Sequence, residues 1–135
     1  MKTIGYALTL LAILLSGSGC HDWLHEPDFA APMPPRGVYT ATGDNFIELY
    51  WDENREPDLA GYDVYVSTSY NGRYELIGSS ESAYFCDDGA RNGSVYYYAV
   101  SAYDYDGNES ELSTDVAYDI PRPEGYDVTL INAVI

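Results

Sequence analysis

The sequence predicts an all-β protein, an antiparallel sandwich of two packed sheets placed behind a short N-terminal targeting segment. Three observations predict it. Apolar residues after position 20 recur with period two, as in Ile47, Leu49 and Trp51 against Glu48 and Tyr50. Turn clusters punctuate these runs at Gly43-Asp44-Asn45, Asn71-Gly72, Asp88-Gly89, Asn92-Gly93 and Asp106-Gly107-Asn108, each supplying residues that tolerate positive φ. No helical period appears after residue 20, so strands have no competitor for the core.

The chain starts with an export signal. Lys2 precedes an apolar run from Ile4 to Leu15, followed by the small residues Ser16, Gly17, Ser18 and Gly19 and then Cys20. About 12 residues of helix rise only about 18 Å, short of the roughly 30 Å hydrocarbon core, so the run is a signal peptide and not a stable anchor. The segment resembles the lipobox of bacterial lipoproteins, with Ser18 and Gly19 in the two positions before the cysteine. That resemblance implies cleavage after residue 19 and acyl chains on Cys20, which anchor without any protein contact to the bilayer. Ordinary secretory cleavage, leaving Cys20 a free thiol, is the alternative. His21 is not the Asp that in enteric bacteria tends to retain lipoproteins at the inner membrane, so the resemblance implies the outer membrane in a Gram-negative source.

Residues 20–35 read as a lipidated cysteine and tether, because Pro27, Pro32, Pro34 and Pro35 deny the segment regular hydrogen bonding. His21 and His25 stand four apart, a spacing for metal ligands only on a helix that the prolines disfavour. Strands follow from residue 36. Phe46 to Trp51 places Ile47, Leu49 and Trp51 inward. Tyr62 to Val66 places Tyr62, Val64 and Val66 inward, and Ser94 to Ala102 places Tyr96, Tyr98, Val100 and Ala102 inward. Ala83 to Cys86 is a short run of strand character, in which Cys86 reads as a small hydrophobe in or near a sheet. The last strand is expected from Leu112 to Ile120. Residues 121–135 form a C-terminal extension, either an added edge strand or the opening of a truncated further module.

The order of these features carries a family resemblance. Pro34-Pro35-Arg36-Gly37-Val38, Ile47 to Trp51, Asp58 to Tyr65, Tyr96 to Ala102 and Gly107-Asn108-Glu109-Ser110 together resemble fibronectin type III domains of bacterial exported proteins. The resemblance implies a seven-stranded antiparallel immunoglobulin-like sandwich over residues 36–120. It implies Trp51 as the core tryptophan, packed with Tyr62 and Val100, and Tyr96 as the tyrosine-corner residue whose hydroxyl bonds nearby backbone. It implies little about function, since this superfold hosts adhesion, spacing, recognition and enzyme accessory roles alike.

Composition excludes more than it selects. The formal charge is −16, all 22 acids lie after residue 20, and the Lys and Arg there are only five arginines. Such a surface repels phosphate backbones and anionic headgroups, which argues against nucleic acid and leaves the lipid as the sole membrane contact. Catalysis has no visible apparatus: both histidines sit in the tether, and there is no phosphate loop or metal cluster. The expected function is a membrane-anchored, non-catalytic lipoprotein of the cell envelope, which binds another envelope protein or a surface polymer or acts as a spacer. The alternative is a carbohydrate-binding or accessory domain of a truncated larger extracellular enzyme. Tyr50, Tyr65, Tyr97 and Tyr103 are its candidate stacking surface, against the simpler view that tyrosine packs across strands.

No cofactor is expected beyond the lipid on Cys20 and weak Ca²⁺. Asp104, Asp106 and Glu109 lie in an acidic turn that superficially resembles an EF-hand loop, but Gly107 falls at position 4 and not 6. A hairpin turn, with Gly107 and Asn108 supplying the unusual backbone angles, is the favoured reading.

Overall fold

The computed structural model describes residues 29–125. Seven strands form: β1 (Tyr39–Thr42), β2 (Ile47–Tyr50), β3 (Leu59–Ser67), β4 (Glu75–Ser80), β5 (Tyr84–Asp87), β6 (Tyr96–Asp104) and β7 (Ala117–Asp119). They pair into a three-stranded sheet, β1-β2-β5, and a four-stranded sheet, β4-β3-β6-β7, with every pairing antiparallel. This is the antiparallel sandwich that the alternation of residue types predicts, with the seven strands that the family resemblance implies.

The core follows from that alternation. Ile47 and Leu49 from β2, Tyr62 and Val64 from β3, and Tyr98, Val100 and Ala102 from β6 are completely buried. Burying a large aliphatic or aromatic side chain contributes about 1.5–3 kcal/mol, so these rows dominate the stability. Trp51 is 5% exposed and meets the Tyr62 ring edge-on, with centroids 5.2 Å apart. Tyr96 is half-buried against the core, and its hydroxyl accepts a hydrogen bond from the Arg91 N–H at 3.0 Å.

Two contacts close the sides of the sandwich. On one side Thr42 Oγ1 donates to Asp119 Oδ1 at 2.6 Å, joining β1 to β7 across the sheets. On the other the Phe85 ring from β5 lies over Gly78 of β4, where a Cβ would sit 2.7 Å from the ring. Glycine is required there for space.

Several boundaries differ from expectation. The strand expected from Leu112 to Ile120 shrinks to Ala117–Asp119. Residues 110–113 still run beside β6, but serine hydroxyls complete the ladder. Val100 N–H donates to Ser113 Oγ and Ala102 N–H to Ser110 Oγ, while the backbone N–H groups of both serines donate to the Val100 and Ala102 carbonyls. The side-chain acceptors displace the regular register. Pro32 and Pro35, expected in the tether, are buried on the sandwich. Met33 N–H donates to Glu56 Oε1 at 2.6 Å and its carbonyl accepts from Asn54 Nδ2 at 2.8 Å, so the ordered domain takes in residues before 36. Pro121 is also fully buried, and its carbonyl accepts from Gly93 N–H. Of the turn residues, Asn45, Gly93 and Gly107 adopt positive φ, whereas Asn108 does not.

Candidate functional site

The outer faces of both sheets carry tyrosines beside carboxylates. On the three-stranded sheet, inward placement of Ile47 and Leu49 turns Glu48 and Tyr50 outward. The register sets Tyr39 opposite Tyr50 and Tyr50 opposite Tyr84, so one tyrosine from each strand occupies a single rung. Tyr39 stacks on Tyr50 with centroids 5.2 Å apart and planes inclined by 16°, and Tyr84 follows at 5.2 Å and 52°. The next rung is Ala41, Glu48 and Cys86. Tyr84 Oη donates to Glu48 Oε1 at 2.9 Å, and that bond to a carboxylate, with desolvation and the Glu48 charge, pushes the phenol up to about 12.

The four-stranded sheet presents a different surface. Tyr65 Oη and Ser101 Oγ both donate to Glu109 Oε1. Partial burial and the Glu109 carboxylate push the Tyr65 phenol up to about 12. Tyr97 meets Tyr118 of β7 at 5.3 Å and Tyr70 of the β3–β4 turn at 6.1 Å, with planes inclined by 51° and 72°. Tyr103 lies across Gly61, which has no side chain to displace it.

The four tyrosines expected in one outward row are therefore divided. Tyr50 belongs to the three-stranded sheet, while Tyr65, Tyr97 and Tyr103 lie on the opposite side of the molecule. Alternation along a strand shows which residues face outward, but not which sheet a strand joins. Tyr39 and Tyr84, the partners of Tyr50, escape sequence reading for the same reason: only strand pairing places them in one rung.

The three weak calcium candidates are engaged separately. Asp104 is buried, and its carboxylate caps the turn by accepting from Asn108 N–H and Asn108 Nδ2, both at 2.8 Å. Burial raises its pKa, but the bonds from Asn108, together with the Asp106 and Gly107 N–H groups, outweigh burial and leave it lowered. Glu109 points back over the sheet to Ser101, and no group of three metal-type side chains, Asp106 included, forms among the described residues. The turn is a hairpin fastened by its own acids. Cys86 is exposed on β5, not packed as a small hydrophobe, because Phe85 takes the inward position. Partial burial and the nearby Glu48 and Asp88 charges raise its pKa. An open depression of about 780 Å³ lies among Met33, Arg36 and residues 52–56, whose polar groups largely fasten the N-terminal lead-in. Cys20, His21 and His25 lie outside the described residues.

Comparisons with known proteins place this geometry. No family model matches the chain. An amylopullulanase of Thermoanaerobacterium saccharolyticum is 40% identical over 93 residues, which make up 67% of this chain and 7% of the enzyme. Exoglucanase B of Cellulomonas fimi is 29% identical over 102 residues, 73% of this chain and 9% of that protein. The chain thus spans less than a tenth of the length of either relative. The solved structure of an Fn3-like protein from Clostridium thermocellum is 30% identical, with a TM-score of 0.54, and the match covers 70% of this chain and 96% of that one. Two antiparallel sheets of this topology, and a similarity that takes in nearly the whole of a small Fn3-like protein, establish that the chain belongs to the Fn3-like family of β-sandwich domains.

Proposed function

We propose that this chain is an exported, lipid-anchored accessory module that serves polysaccharide-degrading enzymes at the cell envelope. The observation that carries the reading is the 93-residue similarity to an amylopullulanase of which it forms only 7%. A sandwich that recurs as a minor part of such an enzyme is suited to holding or orienting catalysis performed elsewhere. The apolar run ending at Gly19-Cys20 supports anchoring through the lipid. The charge of −16 supports the same division, since the acidic sandwich is repelled by anionic headgroups and stands off the bilayer. In a Gram-negative source His21 after Cys20 favours the outer membrane.

The test is made in the source cell. Mass spectrometry of the mature N-terminus should find an acylated peptide beginning at Cys20, and Cys20→Ser should move the protein from membrane to soluble fractions. Deleting the gene should lower membrane-bound hydrolysis of starch, pullulan or cellulose. An unmodified N-terminus refutes the anchor, and unchanged hydrolysis of all three polymers refutes the accessory role.

A further inference from the structure

We infer that the outer face of the three-stranded sheet is a stacking surface for a neutral glucan chain, centred on Tyr39, Tyr50 and Tyr84. The inference rests on the accessory reading above and gives it a site and a ligand class.

Geometry comes first. One tyrosine from each of the three strands stands in a single rung, so the aromatic row crosses the full width of the sheet. Its outer members are 58% and 38% exposed, a large aromatic area left open to solvent. In the adjacent rung the small Ala41 and Cys86 flank Glu48, so no large side chain at either edge of that rung competes with the row. Glu48 holds Tyr84 by its hydroxyl, which reduces the ordering cost when a ligand arrives. The other sheet's tyrosines, Tyr70, Tyr97 and Tyr118, are comparably exposed at their ends, but they do not form one rung across three paired strands: Tyr70 stands in a turn, and none of their ring pairs is parallel.

Chemistry then selects the occupant. A pyranose ring has an apolar C–H face that suits an exposed aromatic ring and a rim of hydroxyls that suits phenol and carboxylate oxygens; the exposed Tyr39 and Tyr84, propped by Tyr50 between them, supply the first, and their hydroxyls with Glu48 supply the second. The net charge of −16 repels polyanions, so sulfated and uronic polymers are disfavoured and a neutral chain is not. Both sequence relatives described above bear the names of glucan-active enzymes, an amylopullulanase and an exoglucanase.

The test is affinity electrophoresis of the full chain through gels containing soluble starch, pullulan or hydroxyethyl cellulose, with dextran sulfate as the anionic control. At least one neutral glucan should retard the protein and dextran sulfate should not. Tyr39→Ala with Tyr84→Ala should weaken the retarding affinity about tenfold or more. Tyr70→Ala with Tyr118→Ala, on the opposite sheet, should leave it unchanged. Circular dichroism checks that both double variants fold; if the first does not, Tyr39→Ser alone gives the same reading at an exposed edge position. Three results overturn the inference: no retardation by any neutral glucan, loss of retardation only in the opposite-sheet variant, or sedimentation showing that the row joins two copies of the chain. Absent retardation with gene deletion still lowering membrane-bound hydrolysis removes the stacking surface and leaves the accessory role standing.

Discussion

Trp51 shows how a single side chain sets the stability of a domain this small. Its indole fills the space beside Tyr62, whose hydroxyl in turn accepts from Asn54 N–H at 2.8 Å and fixes the loop leaving β2. Removing the ring would leave a cavity that the two sheets cannot collapse to fill, because the paired strands hold them apart. Trp51→Ala should therefore cost about 3–5 kcal/mol, a large part of the 5–15 typical of a domain, and the denaturant midpoint measures it. A midpoint that scarcely moves would show that Trp51 does not bear on the core. Tyr39, by contrast, is more than half exposed on a sheet edge, and substitutions there should test binding with little effect on folding.

At the scale of an element, the run beside β6 shows how a ladder can be built without a regular strand. Ser113 is buried, accepts from Val100 N–H at 3.1 Å and donates to the Asp115 carbonyl at 2.9 Å. Ser113→Ala removes the acceptor and leaves the buried Val100 N–H without it, which should cost about 1–3 kcal/mol. Thermal melts of Ser113→Ala beside an exposed control such as Ser94→Ala would measure the difference. Equal melts would mean that water replaces the hydroxyl and that the side-chain ladder adds nothing. The same element explains why the last strand is shorter than its residue types suggest: β-propensity marks a segment that can extend, while pairing decides whether it does.

Over the whole molecule, acidic composition is turned to structural use by pairing carboxylates with phenols. Tyr65 donates to Glu109, Tyr84 to Glu48 and Tyr98 to Asp87, the last at 2.7 Å. Each neutral phenol is a donor that its phenolate cannot be, and ionisation would set a second negative charge beside the first. Burial, with Asp87, raises Tyr98 as well, while Tyr65 and Tyr84 are pushed up to about 12. A folded pKa raised above the unfolded value of about 10 contributes stability that is complete below pH 10 and lost as pH rises through the folded value. Stability should accordingly fall between about pH 10 and 12, and the loss should be smaller in Tyr65→Phe. Denaturant melts across that range, with ultraviolet absorbance following phenolate formation, check it. A flat profile would mean that these pairs do not survive in solution.

The sequence by itself determined the sandwich, the strand faces and the principal core, because alternation and turn chemistry are local and one face of each strand must be buried. Ile47, Leu49, Tyr62, Val64, Tyr98 and Val100 stand inward as the period-two pattern places them. It also marked out the signal-like run and Cys20, which rest on composition and not on the fold. Tertiary structure alone decided which outward residues share a surface. Tyr50 and Tyr97 look equivalent in sequence yet lie on opposite sides of the molecule, and Tyr39 and Tyr84 become neighbours of Tyr50 only through β1-β2-β5 pairing. Likewise Asp104 and Glu109 are near in sequence, but the turn and the sheet draw their carboxylates to different partners. Facing is fixed by backbone geometry within one strand, whereas neighbourhood on a sheet depends on the register between strands far apart in the chain.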